Sequence, residues 1–392
     1  MRNRSKPMKL SPIQRLIRAF ATPLKRALLI SLFLSPALAD IGCQHIGPNT
    51  IADDRLAYNR AVKTSWEQQT LLNIVRVRYD DLVSFVDVGP ILQTHSLMGT
   101  TQGTFGASIS PLNTIMNTLT PSLSGTRQTT DSPNITYTPL TGAEFARNLN
   151  APIKPSDICN LIESDYSADV LLNLTLNSIN EIPSVDPNVV LNRSEFVVRS
   201  STFRQLAQAI ECAHGYGDLN FYIQPGTDSD AAKVYMVISD KDCERCKKIA
   251  RCKANPLAFI RKTLQLEPAN TQFEVVAGPR RMKETEIAVR TRSVIGAMRW
   301  LSDYVHVPEA HISAGFAHPK RVPDVQNPPL DVEWSINKPR GVFTAVQYKG
   351  YWFWIPQNEV KSKFSLIYLR TLLALADTGA KPSPPVLTIP TR

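Results

Sequence analysis

Three cysteines stand close enough along the chain to do chemistry together: Cys243-x-x-Cys246, with Cys252 six residues further on. Closed by Cys212 or His214, they have half the look of a structural zinc site, which needs four nitrogen or sulfur donors in a tetrahedron. In an oxidising compartment the same residues, with Cys159, read as disulfide partners, and that reading suits an exported chain better. A thioredoxin-like use of Cys243 and Cys246 fits poorly, because the segment from Asp242 to Lys253 is densely charged and opens no clear βαβ unit.

Other constellations are weaker. His311-Ile-Ser313-Ala-Gly315 has part of a nucleophile elbow, but its first glycine is missing and no strand-to-helix turn is expected around it. A hydrolase built around His311 and His318 is therefore a minor alternative. Ser335-Ile-Asn-Lys338 lacks the companion motifs of serine penicillin-binding proteins, and neither a phosphate-binding loop nor a dinucleotide fingerprint is present. His306, His311 and His318 share one loop-rich stretch without an evident acid partner, so surface or locally bonded imidazoles are expected. These absences point to a non-enzymatic protein without a cofactor. Tyr348, Tyr351, Trp352, Phe353 and Trp354 crowd one hairpin. Alternation puts Trp352 and Trp354 on one face, as a ligand platform or an interface pair, and their neighbours on the other.

The elements that position these residues sit behind an export signal. The 392 residues carry 44 Lys and Arg against 34 Asp and Glu, a net charge of +10. Eight bases lie in the first 26 residues and no acid precedes Asp40; without that segment 36 bases face 34 acids, a net of +2. A nucleic-acid partner thus loses its electrostatic footing. The basic stretch runs into Ala27–Ala39, mostly apolar and shorter than the roughly 20 residues that span a bilayer. Residues 1–42 read as a signal peptide, and Ile41-Gly42-Cys43 resembles the end of a lipobox, whose cysteine takes acyl chains such as palmitate. Asp40 departs from that pattern and keeps open a simple cleavage after Ala39. Gln44 after the cysteine favours the outer membrane, with the periplasm as the alternative.

Residues 43–88 read as a linker and a helix, with Leu56, Val62, Trp66, Leu71, Leu72 and Val75 at helical spacings and Arg76 and Arg78 in the last turn. A short strand to Val88 should stop at Gly89-Pro90. From Gly89 to Thr141 only Arg127 and Asp131 are charged, and Phe105, Ala107 and Ile109 alternate with polar residues. Such a segment is either a transmembrane hairpin given to an oligomeric barrel, as curli-type secretion lipoproteins do, or an antiparallel sheet or Ser/Thr/Gly-rich loop outside the membrane. Residues 142–195 should hold a short helix opened by a capping box at Thr141–Glu144 and running through Phe145 and Leu149, a second short helix, a strand over Val170–Leu176 and a linker at 183–195. Residues 196–392 alternate helices and strands, including a hairpin turned at Lys349-Gly350 and a last strand at Val386–Ile389. The fold class is α+β: an N-terminal helix, a charge-poor β-hairpin segment, and a mixed C-terminal half with antiparallel sheet.

Several segments together resemble a family of exported proteins, largely predicted lipoproteins of Gram-negative bacteria, of unassigned function. They are Gly47–Ile51, Gln69–Arg76 with Arg78-Tyr79, Ser132–Gly142, Tyr351–Ile355 and Pro385–Pro390. The resemblance implies export and one architecture across the chain, and brings no reaction or ligand. The resulting expectation is a lipid-anchored envelope protein with a structural or assembly role, its partners the membrane and copies of itself or other envelope proteins. A periplasmic ligand- or glycan-binding module using the aromatic hairpin is the alternative.

Overall fold

The computed structural model describes residues 48–107, 119–185, 200–226, 232–239, 252, 255–319 and 328–376. Two compact units divide the chain: Arg60–Ile91 with Ile135–Arg392, and Met1–Asn59 with Leu92–Asn134. The class is α+β, and a helix comes first, α1 (Pro48–Arg78). Its last turns bury Leu71 and Val75, two of the apolar positions whose spacing marks the helix, together with Ile74 and Val77, while Leu56 is exposed.

The larger unit is built on a six-stranded sheet of β3 (Leu176–Ile179), β4 (Ile182–Pro183), β5 (Leu219–Gln224), β6 (Lys233–Ile238), β7 (Gln272–Ala277) and β8 (Glu286–Thr291). Their order is β4-β3-β8-β7-β6-β5, antiparallel except between β7 and β8, where Val275 sits beside Ile287. Alternation sorts its faces: Val234, Met236 and Ile238 are buried, while Tyr222 and Val237 are exposed. The helices α3 (Pro155–Glu163), α4 (Ala168–Thr175), α5 (Ser201–Gly215) and α6 (Pro256–Leu264) follow; α3 packs on β5 and β6, and α5 on α4 and α6. One continuous core takes in residues on both sides of 183–195.

The segment read as a strand over Val170–Leu176 is instead mostly α4. Ser167 Oγ accepts from the Val170 N–H at 3.4 Å, and Leu171, Leu172 and Leu174 are all buried, a run that fits a helix better than alternation. The capping box is also not made: α2 (Ala143–Asn150) starts at Gly142, whose φ of 98° favours glycine, with no side-chain cap.

C-terminal to β8 come the helices α7 (Val294–Ser302), α8 (Glu309–Ser313) and α9 (Val360–Ala376) and a three-stranded antiparallel sheet, ordered β10 (Thr344–Tyr348), β11 (Tyr351–Ile355), β9 (Glu333–Ser335). Lys349 and Gly350 turn at φ 44° and 87°, the positive values a two-residue hairpin requires. The last expected strand, Val386–Ile389, lies outside the described residues.

The charge-poor segment forms β1 (Phe85–Ala107, 23 residues) and β2 (Leu119–Leu140, 22 residues), which make a two-stranded sheet with each other. Gly89-Pro90 does not end the strand as expected. Proline is tolerated where its missing N–H would face an outer edge.

Candidate functional site

The base of the β1–β2 hairpin is tied to α1 by two amide side chains one turn apart. Asn73 Nδ2 donates to the Ser84 carbonyl at 2.8 Å, and the Ser84 N–H donates to Asn73 Oδ1 at 3.0 Å. Gln69 repeats the arrangement on Val86, donating from Nε2 at 3.1 Å and accepting at Oε1 at 2.7 Å. Each amide thus does for one strand residue what a neighbouring strand would do. A helix puts residues four apart on one face, and a strand puts residues two apart on one edge, which is why the spacings match. Phe85, between them, is buried and meets Phe145 edge-on.

The C-terminus of α1 is locked by a second cluster. Tyr79 Oη and His311 Nδ1 are 2.7 Å apart in the interior. Burial pushes the Tyr79 phenol up to about 12, against a smaller lowering by Arg78. Burial, then the Lys349 charge, holds His311 below its ordinary value, so the pair is neutral at pH 7. Tyr348 and Phe353 stand edge-on to Tyr79, and Tyr351 and Phe316 to His311. The buried Arg78 donates to the His318 carbonyl at 2.7 Å, and Tyr348 donates to Asp81. His306 and His318, expected without acid partners, lie 3.6 Å from Asp331 and Asp80. Ser313 is exposed at the end of the five-residue α8, on no strand-to-helix elbow.

Between α1, the start of β1 and β10 lies an open groove of about 510 Å³ lined by Gln68, Arg76, Ser84, Gln347 and Trp352 among others. The Lys338 Nζ sits 5.2 Å from the Trp352 ring centroid. Among the described residues its lining is amide, hydroxyl, aliphatic and aromatic apart from the Arg76 guanidinium, groups that offer hydrogen bonds and stacking. Trp354 shares the face of Trp352, but its indole nitrogen is buried without a hydrogen-bond partner among the described residues, and Trp354 is not among the described residues lining this groove.

Cys212 and Cys252 are joined by a disulfide, which removes both as metal ligands. Cys159 is a free, buried thiol whose pKa is raised by burial and by Glu163. Cys43, Cys243 and Cys246 lie outside the described residues. Among the described residues no group of three or more potential ligands is placed to hold a metal, and no helix is long and apolar enough to cross a membrane. Comparison with family models, curated proteins and solved structures finds no match, so no role comes to any residue from a relative.

Proposed function

We propose that this is an exported envelope protein, anchored through Cys43, with a structural or assembly role in which copies join their β1–β2 hairpins edge to edge at the outer membrane. One observation carries the reading: two strands of 23 and 22 residues form a sheet of their own. A two-stranded sheet is marginal alone, and its outer edges are templates for further strands. At about 3.3 Å per residue the strands run roughly 75 Å, ample for the 9–11 residues with which a tilted strand crosses a bilayer. Only two formal charges fall between Gly89 and Thr141, as a lipid-facing and lumen-facing alternation allows.

Within one hairpin β1 and β2 run in opposite directions, so β1 of one copy beside β2 of the next continues an antiparallel ladder. Such head-to-tail contacts close into rings, with an even strand number. No reaction is assigned to the protein. A second reading, a module that binds a polar ligand such as a glycan, is favoured by the groove at Trp352, where amides surround one aromatic ring.

Light scattering of the detergent-extracted full chain, compared with a variant lacking residues 92–134, tests the assembly. Several copies for the full chain and one for the deletion are expected; equal masses would contradict it. Palmitate labelling that persists in Cys43→Ala would remove the anchor.

A further inference from the structure

At four successive outward positions, Ser84 just before β1 and residues 86, 88 and 90 within it, no N–H is left for a neighbouring strand, and at the first two the carbonyl is taken as well. In an antiparallel strand the N–H and C=O of one residue point to the same side, and the side alternates along the chain. The backbone groups of Ser84 and Val86 bond to α1, so those of the odd-numbered residues in the same strand face β2. Even-numbered residues face away. Ser84 has both backbone groups taken by Asn73, and Val86 has both taken by Gln69. The Val88 N–H donates to the neighbouring Asp87 carboxylate at 2.8 Å. Position 90 is proline, which has no N–H to offer. The period of two makes Leu92, Thr94 and Ser96 the next residues on that edge, in a stretch without formal charge.

Blocking devices of this kind are what proteins place on edges that would otherwise recruit a strand. Here they cover the first turns of the hairpin and stop where the charge-poor run opens. We propose that they form a stop: β2 of a second copy pairs with β1 from Leu92 onward and no lower, and these four positions without a free N–H set where the assembled ladder begins. This rests on the assembly reading above. A second copy is the occupant because the complementary edge belongs to the same hairpin, matched in length at 22 residues against 23, with Arg127 and Asp131 of opposite sign as its formal charges against Asp87 in β1. Without the stop, a one-step slip in strand pairing would turn every side chain to the wrong face.

The test is amide hydrogen exchange on the detergent-extracted full chain, assembled and dispersed, with the copy number measured in parallel. On assembly, peptides within 92–107 should gain protection of about tenfold or more, while those within 84–91 stay unchanged. Asp87→Ala with Pro90→Ala, which leaves Gln69 and Asn73 in place, should extend the protected region down to residue 88. Pro90→Ala alone should add only the amide of residue 90. A gain spread evenly from 84 to 107, or a boundary that stays at 92 in the double variant, would overturn the stop while leaving assembly standing. A single-copy mass under all conditions would overturn the assembly reading, and the stop with it.

Discussion

Replacing Tyr79 by Phe removes one buried oxygen and keeps the ring. Tyr79 is 5% exposed, and its ring stands 5.2 Å from that of Tyr348 and 6.0 Å from that of Phe353, contacts that phenylalanine preserves. The loss is the 2.7 Å hydrogen bond to His311, which leaves Nδ1 without that partner in the interior. A bond of this kind contributes about 1 kcal/mol, and an orphaned buried partner costs about 1–3 kcal/mol, so Tyr79→Phe should destabilise by roughly 1–3 kcal/mol. Urea unfolding of the full chain at neutral pH measures it, with Tyr348→Phe, at the exposed bond to Asp81, as the milder comparison. The same experiment repeated at lower pH probes His311. Its folded pKa is below the ordinary 6.5, so the unfolded chain takes up the proton first. The stability it contributes is present above about 6.5 and lost as pH falls through the folded value, and His311→Phe should flatten that part of the profile. A Tyr79→Phe loss under about 0.3 kcal/mol, or an acid slope unchanged in His311→Phe, would refute the argument that this pair is a neutral, buried lock.

Asn73→Ala should cost about 1–3 kcal/mol by urea unfolding and loosen amide exchange at Ser84, since the two bonds to Ser84 and the one from Arg76 are lost together at a fully buried side chain. Cys212→Ser with Cys252→Ser opens a covalent loop with a sequence separation of 40 and should cost about 2–4 kcal/mol, an effect that reduction of the wild type reproduces. Trp352→Ala should abolish any retention of the chain on immobilised glycan or peptidoglycan while leaving copy number unchanged. Retention that survives it would remove the groove reading.

Much of the fold is legible from spacing alone. The apolar positions from Leu56 to Val75 mark α1, though only Leu71 and Val75 of them are fully buried, and Lys349-Gly350 marks the β10–β11 turn through its local backbone geometry. Val170–Leu176 misleads because Val170, Leu172, Leu174 and Leu176 alternate while Leu171 adds a helical contact, and a short apolar run fits either period. The site is far less legible. Gln69 and Asn73 read as ordinary polar residues on a helix, since what they bind is backbone, which carries no signature of its own. His311 finds its partner 232 residues earlier in the chain, a distance no local pattern spans. The continuation of β1 through Gly89-Pro90 depends on which edge residue 90 faces, and that follows from pairing rather than from composition.

The central claim is that the β1–β2 hairpins of several copies build one closed sheet. Single-particle projections of the detergent-extracted full chain test it most directly. Closed rings of repeated subunits, lost when residues 92–134 are deleted, are the predicted result. Particles the size of one chain, or rings that persist in the deletion variant, would contradict it.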